Sequence, residues 1–450
     1  YIKQKQKKSK MQRSNEEFRE TNAPICNNQQ QRCVDFVRNN ANIGNRTEEV
    51  LNLLWELANE YWQWFLQKLG QLKRLCFRPE CRIDPEILER ISQTRGWKTS
   101  VIRFIECHPS SSLMAFLTND DVVLICDKNY DCPTKIQSVR QKDTTCVAFR
   151  PWSQTCEFAV GCAAGICLWS DSRRLNANRN IRRMMGTHHL QVLQDKGHNY
   201  VTSMQWNEDG TILVTAAFGS SHIMLWEPDC QQKIRLIPNP KSLGSFSLLR
   251  FSPDFHVLFC ASCDAGASLC QLNRSKWKLK QILGQQRIQS AVWTTCGSTL
   301  LYACYGSTRV YSCTSDGEDS VFLRPQSIWR VQLIMDLQLV TTCAGQRLCC
   351  GEPQCLAMDP LGIYMASIFK EQSFVLLCIL HTSRWGNVKL LPVEFIYCDM
   401  DGDQYPAYIS FGVLKAEIRF LIIAWNTGHF QRYDITAQCF RDAQLYHNIN

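Results

Sequence analysis

The spacing of apolar side chains changes near Trp97. Before this point, apolar residues recur at helical spacing and predict a helix over 47–70, with Thr47 as its N-cap. The two adjacent apolar rows of this helix are Val50, Leu54, Leu57, Tyr61 and Phe65, and Leu51, Trp55, Ala58, Trp62, Leu66 and Leu69. A second helix is predicted to begin at Asp84, because Pro85 follows it at the first helical position.

After Trp97 the chain repeats a unit of three short apolar strands separated by turns. The turns after the first strands set the period: Pro109 and Pro151 are 42 residues apart, and so are Pro253 and Thr295. The first strands of the seven units begin at Ile102, Cys146, Val201, Leu248, Gln289, Leu356 and Ala407. A period near 42 is the blade length of WD40-type propellers.

The sequence therefore predicts an all-β protein, a seven-bladed WD40-type β-propeller preceded by a short α-helical segment and a basic tail. Insertions at 170–195 and 314–350 are predicted to be loops on the rim. No strand-like pattern precedes residue 97, so the strand that usually closes the last blade from the opposite terminus is expected to be missing or replaced. The predicted divisions are a disordered basic tail over 1–34, a helical segment over 35–96, the propeller over 97–436 and a C-terminal tail over 437–450.

Positive charge is concentrated at the start of the chain. The net charge is +9, and six basic side chains within the first thirteen residues leave only +3 for the rest. A nearly neutral body argues against a nucleic-acid-binding face, so no direct nucleic-acid partner is expected. The basic segment over 3–13 is interpreted either as a solubilising tail or as a nuclear-localisation or acidic-partner element. The arginines of the first insertion are interpreted as part of a solvated loop, with a docking site as the alternative: Arg173, Arg174, Arg179, Arg182 and Arg183.

The 25 cysteines lie mostly inside apolar runs, where they are interpreted as small buried hydrophobic residues. No apolar segment follows the basic N-terminus, so no signal peptide is predicted and the reducing cytosol or nucleus is the expected compartment. No window of 18 apolar residues occurs, so no membrane span is expected. Because the chain begins with Tyr1 instead of Met, it is interpreted as a fragment.

One repeat unit contains the pattern of a WD40 hydrogen-bond network. His198 precedes its first strand and Trp226 ends its third, where they are expected to join a Ser or Thr. The turn at 218–221 lacks the usual Asp, so the network is predicted to be incomplete. Asp120, Asp121 and Asp264 occupy the equivalent turns of the first and fourth units and are interpreted as turn formers.

Metal sites are not predicted. Cys260 and Cys263 form a lone Cys-x-x-Cys without a second pair at zinc spacing. A denser group lies in the second insertion and remains open as a metal site: Cys343, Cys349, Cys350 and Cys355. In the first insertion, His188 and His189 are interpreted as a solvated loop pair.

Catalytic motifs are also missing. The chain contains no Gly-x-Ser-x-Gly elbow, no phosphate-binding Gly-rich loop and no dinucleotide-binding motif. We therefore predict no catalytic residue, no cofactor and no small-molecule substrate. A propeller enzyme remains a third hypothesis, which inward-facing carboxylates or histidines clustered on the axis would favour.

Several runs resemble the aladin family of WD-repeat nucleoporins, and the resemblance covers roughly residues 31–436. It is densest over 103–109, 197–206, 390–392 and 424–428. The resemblance implies a non-catalytic scaffold of the nuclear pore complex at the nuclear envelope, tethered through a transmembrane nucleoporin and in contact with other pore proteins. It further implies roles in selective nuclear import and in assembly of the mitotic spindle.

Two features of the sequence distinguish between classes of function. Only two Phe-Gly dipeptides occur, at Phe218 and Phe411, so the chain is not a Phe-Gly-repeat nucleoporin. A substrate adaptor of a ubiquitin ligase would use the same propeller with a helical docking segment, and it remains the main alternative. The apolar face of the predicted helix over 47–70 is interpreted as packing against the propeller or a partner.

Overall fold

A computed structural model describes residues 84–127, 133–153, 155–174, 188–237, 244–264, 266–273, 276–283, 286–315, 329–382, 388–414 and 418–435. The predicted helix over 47–70, the basic tail and the residues after 435 lie outside this part of the chain. The described residues belong to one compact unit. In the part of the chain that is described, no helix is long and apolar enough to cross a bilayer.

Seven antiparallel sheets follow one another along the chain and form the blades of a β-propeller. Blade 1 comprises β1 (Ile102–Cys107), β2 (Met114–Thr118), β3 (Val123–Cys126) and β4 (Thr134–Ile136). Blade 2 comprises β5 (Cys146–Phe149), β6 (Thr155–Cys162), β7 (Gly165–Arg174) and β8 (His188–Leu193). Blade 3 comprises β9 (Val201–Trp206), β10 (Leu213–Ala217), β11 (Ile223–Glu227) and β12 (Gln232–Leu236).

The other blades repeat this order. Blade 4 comprises β13 (Phe246–Phe251), β14 (Val257–Ser262), β15 (Ala267–Asn273) and β16 (Lys276–Leu283). Blade 5 comprises β17 (Ile288–Trp293), β18 (Thr299–Cys304), β19 (Arg309–Ser315) and β20 (Trp329–Asp336), and a hairpin of β21 (Val340–Thr341) and β22 (Arg347–Leu348) follows it. Blade 6 comprises β23 (Pro353–Met358), β24 (Tyr364–Phe369), β25 (Phe374–Thr382) and β26 (Val388–Tyr397). Blade 7 comprises β27 (Pro406–Leu414), β28 (Ile418–Trp425) and β29 (Phe430–Asp434).

The apolar pattern of each strand follows its place in the blade. Strands β2, β10 and β18 lie inside their blades and are buried at every position, because neighbouring blades cover both faces. The outermost strand β12 is exposed over its first four residues. The cores lie between adjacent blades, where residues of blades 6, 7 and 1 form the largest buried cluster.

The prediction of seven blades is confirmed, but the prediction of three strands per unit is corrected. Six of the blades have a fourth strand, and the predicted insertion loops contain two of them, β8 and β20. His188 and His189 therefore begin a strand and do not lie in a loop, although both side chains are exposed. Outermost strands face solvent, so their apolar signal is weak.

The ring closes between blades 7 and 1. Strand β1 contacts β27, and the Val101 N–H donates to the Asn426 carbonyl at 3.1 Å. Among the described residues blade 7 contains three strands, with β29 outermost. The contact between innermost strands, together with the apolar cluster around them, closes the ring in this part of the chain.

The second predicted helix is confirmed as α1 (Pro85–Ile91). Asp84 caps it by accepting a hydrogen bond from the Glu86 N–H at 3.0 Å, and Pro85 occupies the first turn. Leu88 and Ile91 form its buried face and pack with Trp97 and Cys263. We refer to residues 84–100 as the N-terminal cap, because they lie across the end of the ring at which the innermost strands begin.

Candidate functional site: the capped axial channel

The N-terminal cap is held by hydrogen bonds from the innermost strands of several blades. The Ser92 carbonyl accepts from the Gln289 amide of blade 5 at 2.9 Å and from the Gln354 amide of blade 6 at 2.8 Å. The Arg95 N–H donates to the Ala407 carbonyl of blade 7 at 2.9 Å. Since these contacts reach three blades, the N-terminal cap ties the ring together as well as covering it.

Arg103 and Trp97 join the N-terminal cap to blade 1. The Arg103 guanidinium lies 3.8 Å from the centre of the Trp97 ring, and its Nε donates to the Trp97 carbonyl at 2.9 Å. Its other end faces Asp121 at 3.5 Å. A guanidinium is suited to this position because it can stack on an aromatic face and donate hydrogen bonds at the same time.

A small cavity lies beneath the N-terminal cap, with a volume of about 40 Å³. It has room for a few water molecules. Its walls come from the N-terminal cap and from the innermost strands of blades 1 to 5, and they include Trp97, Phe104, Cys146, Met204, Arg250 and Gln289.

The innermost strands contain little of what a catalytic centre needs. Glu106 is the only acidic residue in the seven described innermost strands, and none of these strands contains a histidine. Burial raises the pKa of Glu106 to about 8, and the positive charge of Arg250 opposes this shift. The cluster of inward carboxylates or histidines that would favour a propeller enzyme is not found in these strands.

The thiols near the axis are protonated at neutral pH. Burial raises the pKa of Cys107, Cys146 and Cys355 to about 12 in each case. Burial also raises the pKa of Tyr408. Because the thiolate is the nucleophilic form of cysteine, these three residues are unreactive as nucleophiles.

Comparison with known proteins supports the fold. No family model matches the chain. The chain is similar to the β-propeller domain of Cps50 (Swd1) from Myceliophteria thermophila, with a TM-score of 0.52 and 13% identity. The match covers 75% of this chain and 97% of that one. The chain is a seven-bladed β-propeller. At this identity the likeness shows the fold alone.

The buried carboxyl of Glu106 makes the stability of the propeller depend on pH. Glu106 holds its proton in the folded state up to about pH 8, whereas it ionises near its ordinary value of 4.5 when unfolded. The unfolded state therefore binds fewer protons between these values, and this group lowers stability as the pH rises through that window. We expect the difference in unfolding free energy between Glu106→Gln and wild type to shift in favour of the variant from pH 5 to pH 8. Urea denaturation at both pH values measures this difference.

The comparison between variant and wild type is needed because buried histidines act in the opposite direction. Burial lowers the pKa of His108 to about 4 and that of His198 to about 3. Because the folded state holds these histidines neutral, they increase the stability of the protein as the pH rises. Glu227→Gln, at the end of β11, is the control and should track wild type. An equal response of Glu106→Gln and wild type to pH would contradict the assignment.

The WD40 hydrogen-bond network of blade 3 forms without its usual Asp, as predicted. The Trp226 indole N–H donates to Thr215 Oγ1 at 2.8 Å, and the same hydroxyl lies 2.8 Å from His198 Nε2. His198 Nδ1 is buried and has no hydrogen-bond partner, which matches the missing carboxylate. The ring centres of His198 and His222 lie 5.7 Å apart.

Thr215→Val is expected to lower the free energy of unfolding by about 2–4 kcal/mol, since it leaves a buried indole N–H and a buried imidazole nitrogen without partners. The two side chains have nearly the same volume, so packing changes little. Thr211→Val, at an exposed turn, is the matched control and should cost less than about 1 kcal/mol. Equal losses in the two variants would show that the network contributes nothing.

The aspartates of the predicted turns have structural roles. Asp121 Oδ1 accepts from the Thr144 N–H at 2.9 Å and from the Thr144 hydroxyl at 2.8 Å, which ties blade 1 to the segment before blade 2. Asp120 accepts from the Thr118 hydroxyl. Asp264 is exposed in the turn after β14, where its N–H donates to Ser262 Oγ at 3.2 Å.

The cysteine groups noted in the sequence do not converge on a metal site in the described residues. Cys260 is buried beside Cys270 of the next strand, while Cys263 packs under α1. Cys343 is exposed and donates to the Pro392 carbonyl at 3.2 Å. Cys349 is also exposed, whereas Cys350 and Cys355 are buried in two different core clusters.

A different group of ligand-type side chains does converge. Cys398, Asp399 and His429 place one ligand atom each within 4.8 Å of the others. The first two residues follow β26 and the third lies in the turn between β28 and β29. His429 is 30 residues after Asp399 in the chain. No local spacing motif marked this group in the sequence, which is why it was missed there.

Proposed function

We propose that this protein is a non-catalytic scaffold subunit of the nuclear pore complex, similar to aladin. The observation that carries the proposal is the set of runs that resemble the aladin family, in the same order and spacing, over most of the chain. The proposed protein is held at the nuclear envelope by a transmembrane nucleoporin and supports selective import. A role in mitosis at the spindle or centrosome belongs to the same proposal.

The small cavity beneath the N-terminal cap supports a scaffold role. In many α/β and β folds a ligand site is a cavity with convergent polar groups, whereas the cavity beneath the N-terminal cap has room only for a few waters. The described innermost strands contain a single carboxyl, Glu106, and thiols that are protonated at neutral pH. The outer surface of the propeller therefore remains for contacts with other proteins.

Purification of the tagged protein from mildly crosslinked cells tests this proposal against the ligase alternative. We expect transmembrane nucleoporins to co-purify, at a yield that survives a wash in high salt. The tag alone and an unrelated seven-bladed propeller with the same tag are the controls. Recovery of ubiquitin-ligase subunits without pore proteins would overturn the proposal and favour the substrate adaptor.

A further inference from the structure

Two loops at one end of blade 7 bring together Cys398, Asp399 and His429. The loop between β26 and β27 supplies the first two residues, and the turn between β28 and β29 supplies the third. His429 Nε2 lies 2.7 Å from Asp399 Oδ1. The side chains of His429 and Asp399 are 30% and 55% exposed, so an ion has a path to them from solvent.

Hydrogen bonds between the two loops fix the relative positions of these residues. The Tyr405 N–H donates to Asn426 Oδ1 at 3.1 Å, and the Asn426 N–H donates to the Tyr405 carbonyl at 3.0 Å. Gln404 Oε1 accepts from the Cys398 thiol at 3.2 Å and from the Thr427 hydroxyl at 3.0 Å. An amide oxygen is therefore held next to the Cys398 thiol.

The spacing of the three ligand atoms is close to that of a tetrahedral metal site. Zinc binds sulfur at about 2.3 Å and nitrogen or oxygen at about 2.0–2.1 Å, which puts neighbouring ligand atoms roughly 3.3–3.6 Å apart. In the protein these atoms lie between 2.7 Å and 4.8 Å apart. Movements of about an ångström in two surface loops would bring all three into range.

We propose that Cys398, Asp399 and His429 bind one divalent cation of borderline softness, with Zn²⁺ as the expected ion. Gln404 Oε1 or a water molecule takes the fourth position. Thiolate, imidazole and carboxylate together match zinc. On binding, Cys398 releases its thiol proton to solvent and its hydrogen bond to Gln404 is lost. The affinity therefore rises with pH.

Calcium is the competing ion at this place, because Asp401 and Asp403 add carboxylates to the same loop. Calcium takes six to eight oxygen ligands and does not select sulfur. A calcium site would depend on Asp401 and Asp403 and not on Cys398. Substitutions at these residues therefore distinguish a zinc site from a calcium site.

The position of the site gives the metal a structural consequence. Asn426, which joins the two loops, also accepts the Val101 N–H where the ring closes on blade 1. A metal that clamps the loops together would stabilise blade 7 next to this closure. Since it binds the folded state, it should raise the melting temperature of the protein.

Metal content and cobalt spectra of the full chain test the proposal. The protein, kept reduced and dialysed against EDTA, is loaded with Zn²⁺ or Co²⁺, passed through a desalting column and analysed by mass spectrometry. We expect one metal per chain and a sulfur-to-cobalt charge-transfer band in the near ultraviolet. Cys398→Ser should abolish the band, and His429→Gln should weaken zinc binding at least about tenfold.

Matched controls distinguish this site from the other thiols and from the acidic loop. Cys343→Ser removes another exposed thiol, and Asp401→Asn removes a neighbouring carboxylate; both should bind zinc like wild type. Circular dichroism checks that each variant folds. If Cys398→Ser does not fold, the metal content of His429→Gln decides the test. No retained metal, or binding that survives Cys398→Ser and His429→Gln but not Asp401→Asn, would overturn the proposal.

Discussion

Arg419→Met is expected to lower the free energy of unfolding by about 3–5 kcal/mol. The Arg419 guanidinium lies 2.7 Å from Asp359 Oδ2, and the Asp359 side chain is completely buried. Asp359 Oδ1 has no hydrogen-bond partner, so the loss of Arg419 leaves a buried carboxylate without its counter-charge. The pair joins the turn after β23 in blade 6 to β28 in blade 7. Urea denaturation of purified wild type and variant measures the difference.

A matched surface pair provides the control for this prediction. Arg309 lies 3.4 Å from Asp336, and both side chains are well exposed, so Arg309→Met should change stability little. The double variant Asp359→Leu with Arg419→Met removes both charges and should recover most of the lost stability. If Arg419→Met were as stable as Arg309→Met, the buried pair would not hold blades 6 and 7 together.

Leu88→Asp is expected to undock the N-terminal cap. Leu88 is 3% exposed and packs with Ile91, Trp97 and Cys263, so an aspartate there would bury an unpaired charge. The substitution is expected to make docking of α1 less favourable by about 3 kcal/mol, so that α1 is released more often while the propeller stays folded. Burial raises the pKa of Cys263 to about 11, which keeps this thiol unreactive in wild type. Release of α1 would expose it.

Pulsed alkylation followed by mass spectrometry measures this opening at Cys263. A loss of about 3 kcal/mol raises the labelling rate roughly a hundredfold if opening is local. Cys270, which is buried within blade 4, reports global unfolding and should stay protected. Arg90→Ala, on the exposed side of α1, should label like wild type. Unchanged labelling of Cys263 in Leu88→Asp would contradict the docking of the N-terminal cap.

The blade count was predictable because buried strands carry strong apolar runs. Strand β10 is buried at all five positions. Turn residues such as Pro109 and Pro151 recur at blade length. The outermost strands were missed because they face solvent on one side. The outermost strand β20 exposes Val331 and Leu333, and its pattern resembled that of a loop insertion.

Contacts between distant parts of the chain were not predictable from local patterns. Asp84 and Pro85 marked the start of α1, but nothing nearby indicated where it would dock. The Gln93 amide donates to Ser290 Oγ at 2.6 Å across 197 residues of sequence. Likewise, Cys398 and His429 meet only because the turn between β28 and β29 folds back beside the preceding loop. Local spacing rules cannot find either arrangement.

Live imaging of a fluorescent fusion tests the proposed scaffold role most directly. The full-length protein is imaged before and after depletion of the transmembrane nucleoporins, with another scaffold nucleoporin as a control for intact pores. We expect a punctate nuclear rim that disperses on depletion while the control rim persists. A diffuse signal that depletion leaves unchanged would contradict the proposed scaffold role.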